Sequence, residues 1–262
     1  MSDKSAIQWT DATWNPVTGC SKVSPGCAHC YAETLSLRFG WSRGPWTPEN
    51  ASENVVLHPE RLDQPLRWRL PRRIFVNSMS DLFHELVPDE YIGQVFARMA
   101  MADWHQYQTL TKRPERMRAV VNGLYGHASV QEPLPNVWLG VSIENDRWVA
   151  RADLLRKTPA AVRFISAEPL LGPLPSLDLT GIDWLIVGGE SGAGARPVDA
   201  AWVRELRDRA VDASVAFFFK QWGGRTPKTR GRELDGRTWD EYPPHDPSLI
   251  KVEESSDLRV PA

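Results

Sequence analysis

The sequence predicts an α/β fold built on a mostly parallel sheet, and three observations point there. Six short β-rich runs follow one another at residues 74–77 (IFVN), 107–111 (YQTLT), 137–142 (VWLGVS), 162–166 (VRFIS), 184–188 (WLIVG) and 215–219 (VAFFF). Their starts lie 33, 30, 25, 22 and 31 residues apart, the length of a strand plus a crossover helix. The runs are apolar on both faces rather than alternating, as strands covered on both sides are.

The stretches between them read as helices. Residues 89–104 place Ile92, Phe96 and Met99 at helical spacing behind an acidic first turn. Residues 114–124 begin with a proline at a first helical position. Residues 145–156 and 200–213 repeat the three-to-four apolar spacing, and a further helix is expected over 31–39, directly after Cys30. Prolines and glycines in 169–183 leave no room for one. From Arg225 onward Pro, Gly, Arg and Asp replace aliphatic residues, so residues 1–224 read as one domain and 225–262 as an extended or partly disordered tail.

Composition narrows the function classes. The chain has 262 residues, with Lys+Arg 31 against Asp+Glu 33, and a net charge of −2 that argues against a globally basic nucleic-acid binder. A 24% charged, 42% hydrophobic composition excludes wholesale disorder. No apolar run is long enough for a membrane span. The opening MSDKSAIQWTDATWN lacks the apolar segment of a signal peptide, so the reducing cytoplasm is the expected compartment.

All 3 cysteines fall within eleven residues, as Cys20-SKVSPG-Cys27-AH-Cys30. An odd, clustered count in a cytosolic chain is a poor disulfide framework and a better metal site. Three soft thiolates on one loop can hold three irons of a cubane cluster and leave the fourth iron open. Structural zinc would need a fourth ligand such as His29, His84 or a distant residue, and His29 lies between two of the thiols. Three inert thiols are the remaining alternative.

Each β-rich run is followed at once by polar or charged residues. They include Asn77, Ser78, Ser80 and Asp81, then Lys112 and Arg113, then Ser142 and Glu144, then Glu168, Glu190, Lys220 and Gln221. In a parallel barrel, catalytic groups sit at the C-terminal ends of strands. Chains also turn polar simply on leaving a sheet. The run GGESGAG at 188–194 lacks the Lys-Ser/Thr of a P-loop, and reads either as close backbone approach to a ligand with Glu190 aimed inward or as a turn. Basic residues gather in 61–73, at Lys112, Arg113, Arg116 and Arg118, and in 225–237, with Trp68, Trp222 and Trp239 in or beside them. Arginine interleaved with aromatics can grip phosphates and stack bases, and can equally be a solvated face.

On IQWTDATWNPVTGC (7–20), CAHCYA (27–32), NSMSDLFHE (77–85), LTKRPERM (110–117), LGVSIEN (139–145), ISAEPLLGP (165–173), VGGESG (187–192) and FKQWGG (219–224), the chain resembles a phage-associated family of uncharacterised three-cysteine proteins. That family is similar to the radical S-adenosylmethionine superfamily, in the branch containing spore photoproduct lyase. The first cysteine gap here is six residues where the superfamily commonly has three, and His29 stands where an aromatic residue usually precedes the last cysteine.

The resemblance implies a partial (β/α)6 TIM-like barrel with an irregular C-terminal extension and the cluster loop after the first strand. Cys20, Cys27 and Cys30 would bind a 4Fe-4S cluster, with S-adenosylmethionine on the open iron and an external electron donor. Asn77, Ser78 and Ser80 would approach the methionine moiety, Lys112 its carboxylate, and Ser142 and Glu144 the ribose. Glu168, Glu190, Lys220 and Gln221 would face the substrate, for which a nucleic-acid base is one class. Two alternatives stay open. One is a non-catalytic cluster- or zinc-binding protein that binds nucleic acid, and the other is a zinc-dependent hydrolase, disfavoured by the lack of a His-rich or paired-carboxylate signature.

Overall fold

Strands without a polar face must be covered on both sides, and that requirement organises the chain. The computed structural model describes residues 5–127, 132–226 and 230–244. Strand β1 (Ala12–Trp14) comes first. Strands β2 (Val17–Thr18) and β3 (Val56–Leu57) pair antiparallel and bracket the cysteine loop, helix α1 (Tyr31–Arg38) and the short α2 (Ala51–Asn54). There follow β4 (Arg73–Val76), α3 (Asp89–Met101), β5 (Gln106–Thr111), α4 (Pro114–His127) and β6 (Val137–Ser142). Helix α5 (Ala150–Arg156), β7 (Val162–Ala167), β8 (Trp184–Gly188), α6 (Ala200–Asp212) and β9 (Ala216–Gln221) complete the alternation. A hairpin of β10 (Glu233–Leu234) and β11 (Arg237–Thr238) ends the described chain.

The large sheet has seven strands in the order β1-β4-β5-β6-β7-β8-β9, every neighbouring pair parallel, curled into a half-barrel. The strand order is the chain order, so the sheet winds in one sense with its helices along one face. The sequence reading of a partial parallel barrel holds, with one strand more than the six runs. Strand β1 is only three residues long and sits among Trp, Asp and Asn, too short to register as a β-rich run. The segment 169–183 is free of helix, as expected. The helix expected over 89–104 stops at Met101, and residues 146–148 form a 3-10 turn capped by Asn145 ahead of α5. Among the described residues, no helix is long and apolar enough to cross a membrane.

Side chains alternate between the two faces. Ile74, Val76, Leu139, Val141, Ile165, Leu185, Phe217 and Phe219 join the core under the helices. Phe75, Trp138, Phe164, Trp184, Ile186 and Phe218 point the other way and fill the concave face with Trp9. Trp184 is the hub of this second cluster, edge-on to Trp138 at 5.8 Å, to Phe218 at 6.0 Å and to Trp9 at 6.1 Å. The described part of the tail joins it, since Tyr242 lies 5.1 Å from the Trp184 ring and under the Arg73 guanidinium at 4.4 Å. Residues 245–262 of the tail lie outside the described residues.

Gly140 shows how tightly the concave face is filled. A Cβ there would lie 2.5 Å from the Phe164 ring, whereas a Cβ at Gly123 in α4 would meet nothing. Gly140→Ala should therefore destabilise the protein by about 1–3 kcal/mol through overpacking. Gly123→Ala should stabilise it by about 0.5–1 kcal/mol through backbone entropy and helix propensity. Urea midpoints of the two variants check the opposite signs.

Candidate functional site

The concave face is mostly apolar, with Gln108 buried on it against the Trp9 carbonyl, and a set of polar groups gathers at the C-terminal ends of the strands. Asn77 and Lys112 follow Phe75 and Leu110 by two residues, Ser142 and Glu168 follow Trp138 and Phe164 by four, and Lys220 follows Phe218 by two. Even spacing along a strand keeps a side chain on one face. Contacts agree: Lys112 lies 3.9 Å from Glu144, and Lys220 lies 2.6 Å from Glu168. The register shifts where Val187 pairs with Phe219 and Gly188 with Gln221, which breaks the alternation there, and Gln221 donates to Ser191 Oγ at 2.6 Å. Lys220 and Gln221 nonetheless line one pocket, with Gln8, Gly231 and Arg232.

The cysteine loop is seated on these strand ends. Gly19 bridges to Ser80 with φ +81°, and any Cβ there would run into the Asn54 carbonyl. Ser80 donates to the Val17 carbonyl at 2.8 Å, and Asn15 Oδ1 accepts from the Met79 amide at 2.9 Å and from Ser78 Oγ at 3.3 Å. Asn77, at φ 60°, turns the chain off β4 in the left-handed region that Asn tolerates. Its Oδ1 accepts from the Val17 amide, while its buried Nδ2 has no partner.

Two buried carboxylates grip the middle of the loop. Glu144, fully buried, accepts from Ser24 Oγ and, at 3.0 Å, from Arg151, and a Cβ on Gly26 would overlap its carboxylate. Glu190 accepts from Arg196 Nε at 2.8 Å and pairs with His29 at 3.0 Å, and Arg196 also donates to the Pro25 carbonyl at 3.0 Å. Burial by itself would raise the Glu190 carboxyl, but the hydrogen bonds from Arg196 and His29 outweigh it and pull the pKa down to about 2. Among the 188–194 glycines, a tight loop contact falls at Gly189. Gly189 lies against the Trp222 carbonyl and leaves no room for a Cβ, so the close approach is to a neighbouring loop.

The three cysteines are free and half-buried. Burial pushes the Cys20 thiol up to about 12, with Asp81 adding to the rise and Arg113 opposing it. Burial raises Cys30 as well. Cys27 acts electrostatically on both of the others. Among the described residues, no three His, Cys, Asp or Glu side chains close on one metal ion. Tetrahedral zinc would need sulfurs only about 3.8 Å apart. A cubane spreads its thiolates over separate irons and asks for no such closure. The soft donor set and the unpartnered Asn77 Nδ2 at the same end of the sheet fit a cluster with a polar ligand beside it.

The basic stretches, which the sequence offers as a phosphate- and base-gripping surface or as a solvated face, do not gather at one place. Arg67, Arg69, Arg72 and Arg73 lead into the N-terminal end of β4, and parallel strands all begin at the end away from the mouth. Arg113 and Arg116 are engaged internally, Arg113 with Asp81, Glu85 and Ser21, and Arg116 with Asp89 and the Val87 carbonyl. Trp222 stands edge-on to Phe219 at 4.7 Å and donates to the Glu233 carbonyl. Sequence reasoning did not single out Ser24, Gly26, Arg151 or Arg196. Ser24 and Gly26 meet Glu144 from over a hundred residues away, Arg151 and Arg196 reach back 7 and 6 residues, and only the LGVSIEN and VGGESG motifs carry their partners.

A singly wound, curled parallel sheet with a thiol-rich loop at its C-terminal mouth defines the class, an α/β half-barrel protein. Within it, the chain belongs to the family described as "Protein of unknown function (DUF5131)", which matches residues 4–243. No curated protein matches the chain. Two solved structures are similar to it. A cysteine-to-serine mutant of spore photoproduct lyase is 15% identical with a TM-score of 0.47, over 72% of this chain and 58% of that one. Spore photoproduct lyase complexed with dinucleoside spore photoproduct is 14% identical with a TM-score of 0.36, over 66% of this chain and 54% of that one. The chain spans less than two thirds of either.

Glu190 makes a pH prediction. A carboxyl held below its unfolded value contributes fully above that value, and the contribution is lost as pH falls toward the folded one. Stability of the native protein should therefore fall between about pH 4.5 and about pH 2 as Glu190 protonates. Glu190→Gln should be less stable at neutral pH and lose less across that window. Urea unfolding at stepped pH measures both.

Proposed function

We propose that this protein is an iron–sulfur, S-adenosylmethionine-dependent radical enzyme that abstracts a hydrogen from its substrate, with a nucleic-acid base as the substrate class and a phage-associated, cytoplasmic setting. The observation that carries this reading is the seating of three free thiols at the mouth of a parallel half-barrel, where the strand-end charges also gather. The family resemblance of the motifs supports it. When bound, a 4Fe-4S cluster with S-adenosylmethionine supplies a carbon radical strong enough to break a C–H bond, with its electron drawn from an external donor.

The chain's own residues bind, orient and exclude. Cys20, Cys27 and Cys30 are the ligands. Asn77 offers its free Nδ2 to the methionine end, with Ser78 and Ser80 beside it, and Lys112 offers positive charge. Ser142 and Glu144 lie toward the ribose. Glu144 already accepts from Ser24 and Arg151, so it organises the cysteine loop as well. Glu168 and Lys220, paired at 2.6 Å, can accept and donate a proton on one polar edge of a substrate. Glu190 acts through the loop, and Gln221 through Ser191. The aromatic floor of Trp138, Phe164, Trp184 and Phe218 keeps water from below.

Anaerobic reconstitution with iron and sulfide tests the proposal. The expected product is brown protein with about four irons per chain, and 5′-deoxyadenosine should form on addition of S-adenosylmethionine and dithionite. Alanine at any of the three cysteines should abolish both. Colourless protein carrying zinc would overturn the reading. A stable cluster that never yields 5′-deoxyadenosine would leave the binding-protein alternative instead. For the substrate class, binding to single-stranded oligonucleotides should weaken with salt by a log–log slope of about −0.7 per phosphate contacted. No binding at low salt would remove nucleic acid from the proposal.

A further inference from the structure

Arg113 joins three segments far apart in sequence at the first cysteine. Strand β5 delivers it to the mouth just past Thr111, and its guanidinium is buried there although arginine is charged at any pH. Nη1 donates to Asp81 Oδ2 at 3.3 Å and to Cys20 Sγ at 3.5 Å. Nη2 donates to the Ser21 carbonyl at 3.1 Å and to Ser21 Oγ at 2.9 Å, and Nε donates to Glu85 at 3.0 Å. Asp81 is itself fixed by Thr111 Oγ1 at 2.7 Å and by the amides of Phe83 and Lys112. His84, wholly buried, shares a 2.8 Å hydrogen bond with Ser21 Oγ from the other side. A clamp for the loop would need only the Asp81 and Ser21 contacts. The guanidinium reaches the sulfur as well.

We infer that Arg113 is a positioning residue for a cluster held by Cys20, Cys27 and Cys30, fixing the Cys20 sulfur and making an added electron easier to accept, while Asp81 behind it opposes. The inference rests on the cluster reading proposed above. Hydrogen bonds and positive charge at a ligand sulfur favour the reduced, more negative cluster, and a nearby carboxylate disfavours it. Arg113 and Asp81 therefore set the reduction potential by difference. A merely structural pair would give two substitutions of like effect, whereas an electrostatic pair gives opposite ones.

The test compares reconstituted wild type with Arg113→Gln, Asp81→Asn and Arg113→Lys. The readouts are the cluster midpoint potential from mediated redox titration, iron per chain, and the circular dichroism of the fold. Arg113→Gln should lower the midpoint and Asp81→Asn should raise it. Arg113→Lys, which keeps the charge, should lie nearer wild type than Arg113→Gln does. If Arg113→Gln takes up no iron, Asp81→Asn and Arg113→Lys still decide the sign. Shifts of the same sign, or unchanged midpoints in loaded variants, overturn the inference alone. Wild-type protein that assembles no cluster overturns both the inference and the reading beneath it.

Discussion

The packing of aromatic rings into the concave side of the sheet is the constraint on which the rest of the site depends. A parallel barrel leaves its interior either open or filled with side chains, and here Trp9, Phe75, Trp138, Phe164, Trp184 and Phe218 fill it. Gly140 is where the filling is closest, because Phe164 occupies the space a side chain would take. With the interior closed to water, a polar group on that face needs either a partner, as Gln108 Nε2 has in the Trp9 carbonyl, or a place where the strand ends. Lys112, Ser142, Glu168 and Lys220 therefore gather in one ring by the same period-two alternation that aims the aromatic rings.

The cysteine loop takes up position on that ring through charges. Glu144, Glu190 and Arg113 are all buried, and each touches the loop directly. Burying a charge is costly unless it is paired and hydrogen-bonded, so each of these groups fixes the geometry of its partners as a condition of being there. Glu144 requires Arg151 and Ser24. Glu190 requires Arg196. Arg113 requires Asp81. The result is a loop held from three strand ends, with its thiols free.

The tail and the N-terminal segment close the end of the half-barrel opposite the mouth. Trp9 from before β1 and Tyr242 from after β11 both meet Trp184, and Arg73 stacks on Tyr242. Rings from both ends of the chain thus cover the base of the concave face, and an antiparallel bridge from Asp240 to Phe218 meets the β9 edge. The same arrangement uses Arg73 structurally and leaves the chemistry to the cysteine end.

By itself the sequence determined the parallel sheet, the crossover lengths and the cysteine loop as the place to look. Those depend on local period and spacing, which a single chain displays. Strand β1 escaped because three residues are too few to show a period. The loop partners of Glu144, Glu190 and Arg113 escaped because Ser24, His29 and Ser21 lie tens of residues away, set by which strand ends the curl brings together. Arg151 and Arg196 lie only 7 and 6 residues on and show no period. Tertiary structure alone decided that Arg67, Arg69 and Arg72 lie at the far end, since a charged run shows neither end nor face until its strand has a direction in a sheet. It also decided that Gln221 anchors on Ser191 beside the register shift between β8 and β9, because a bulge is set by cross-strand pairing and not by local period.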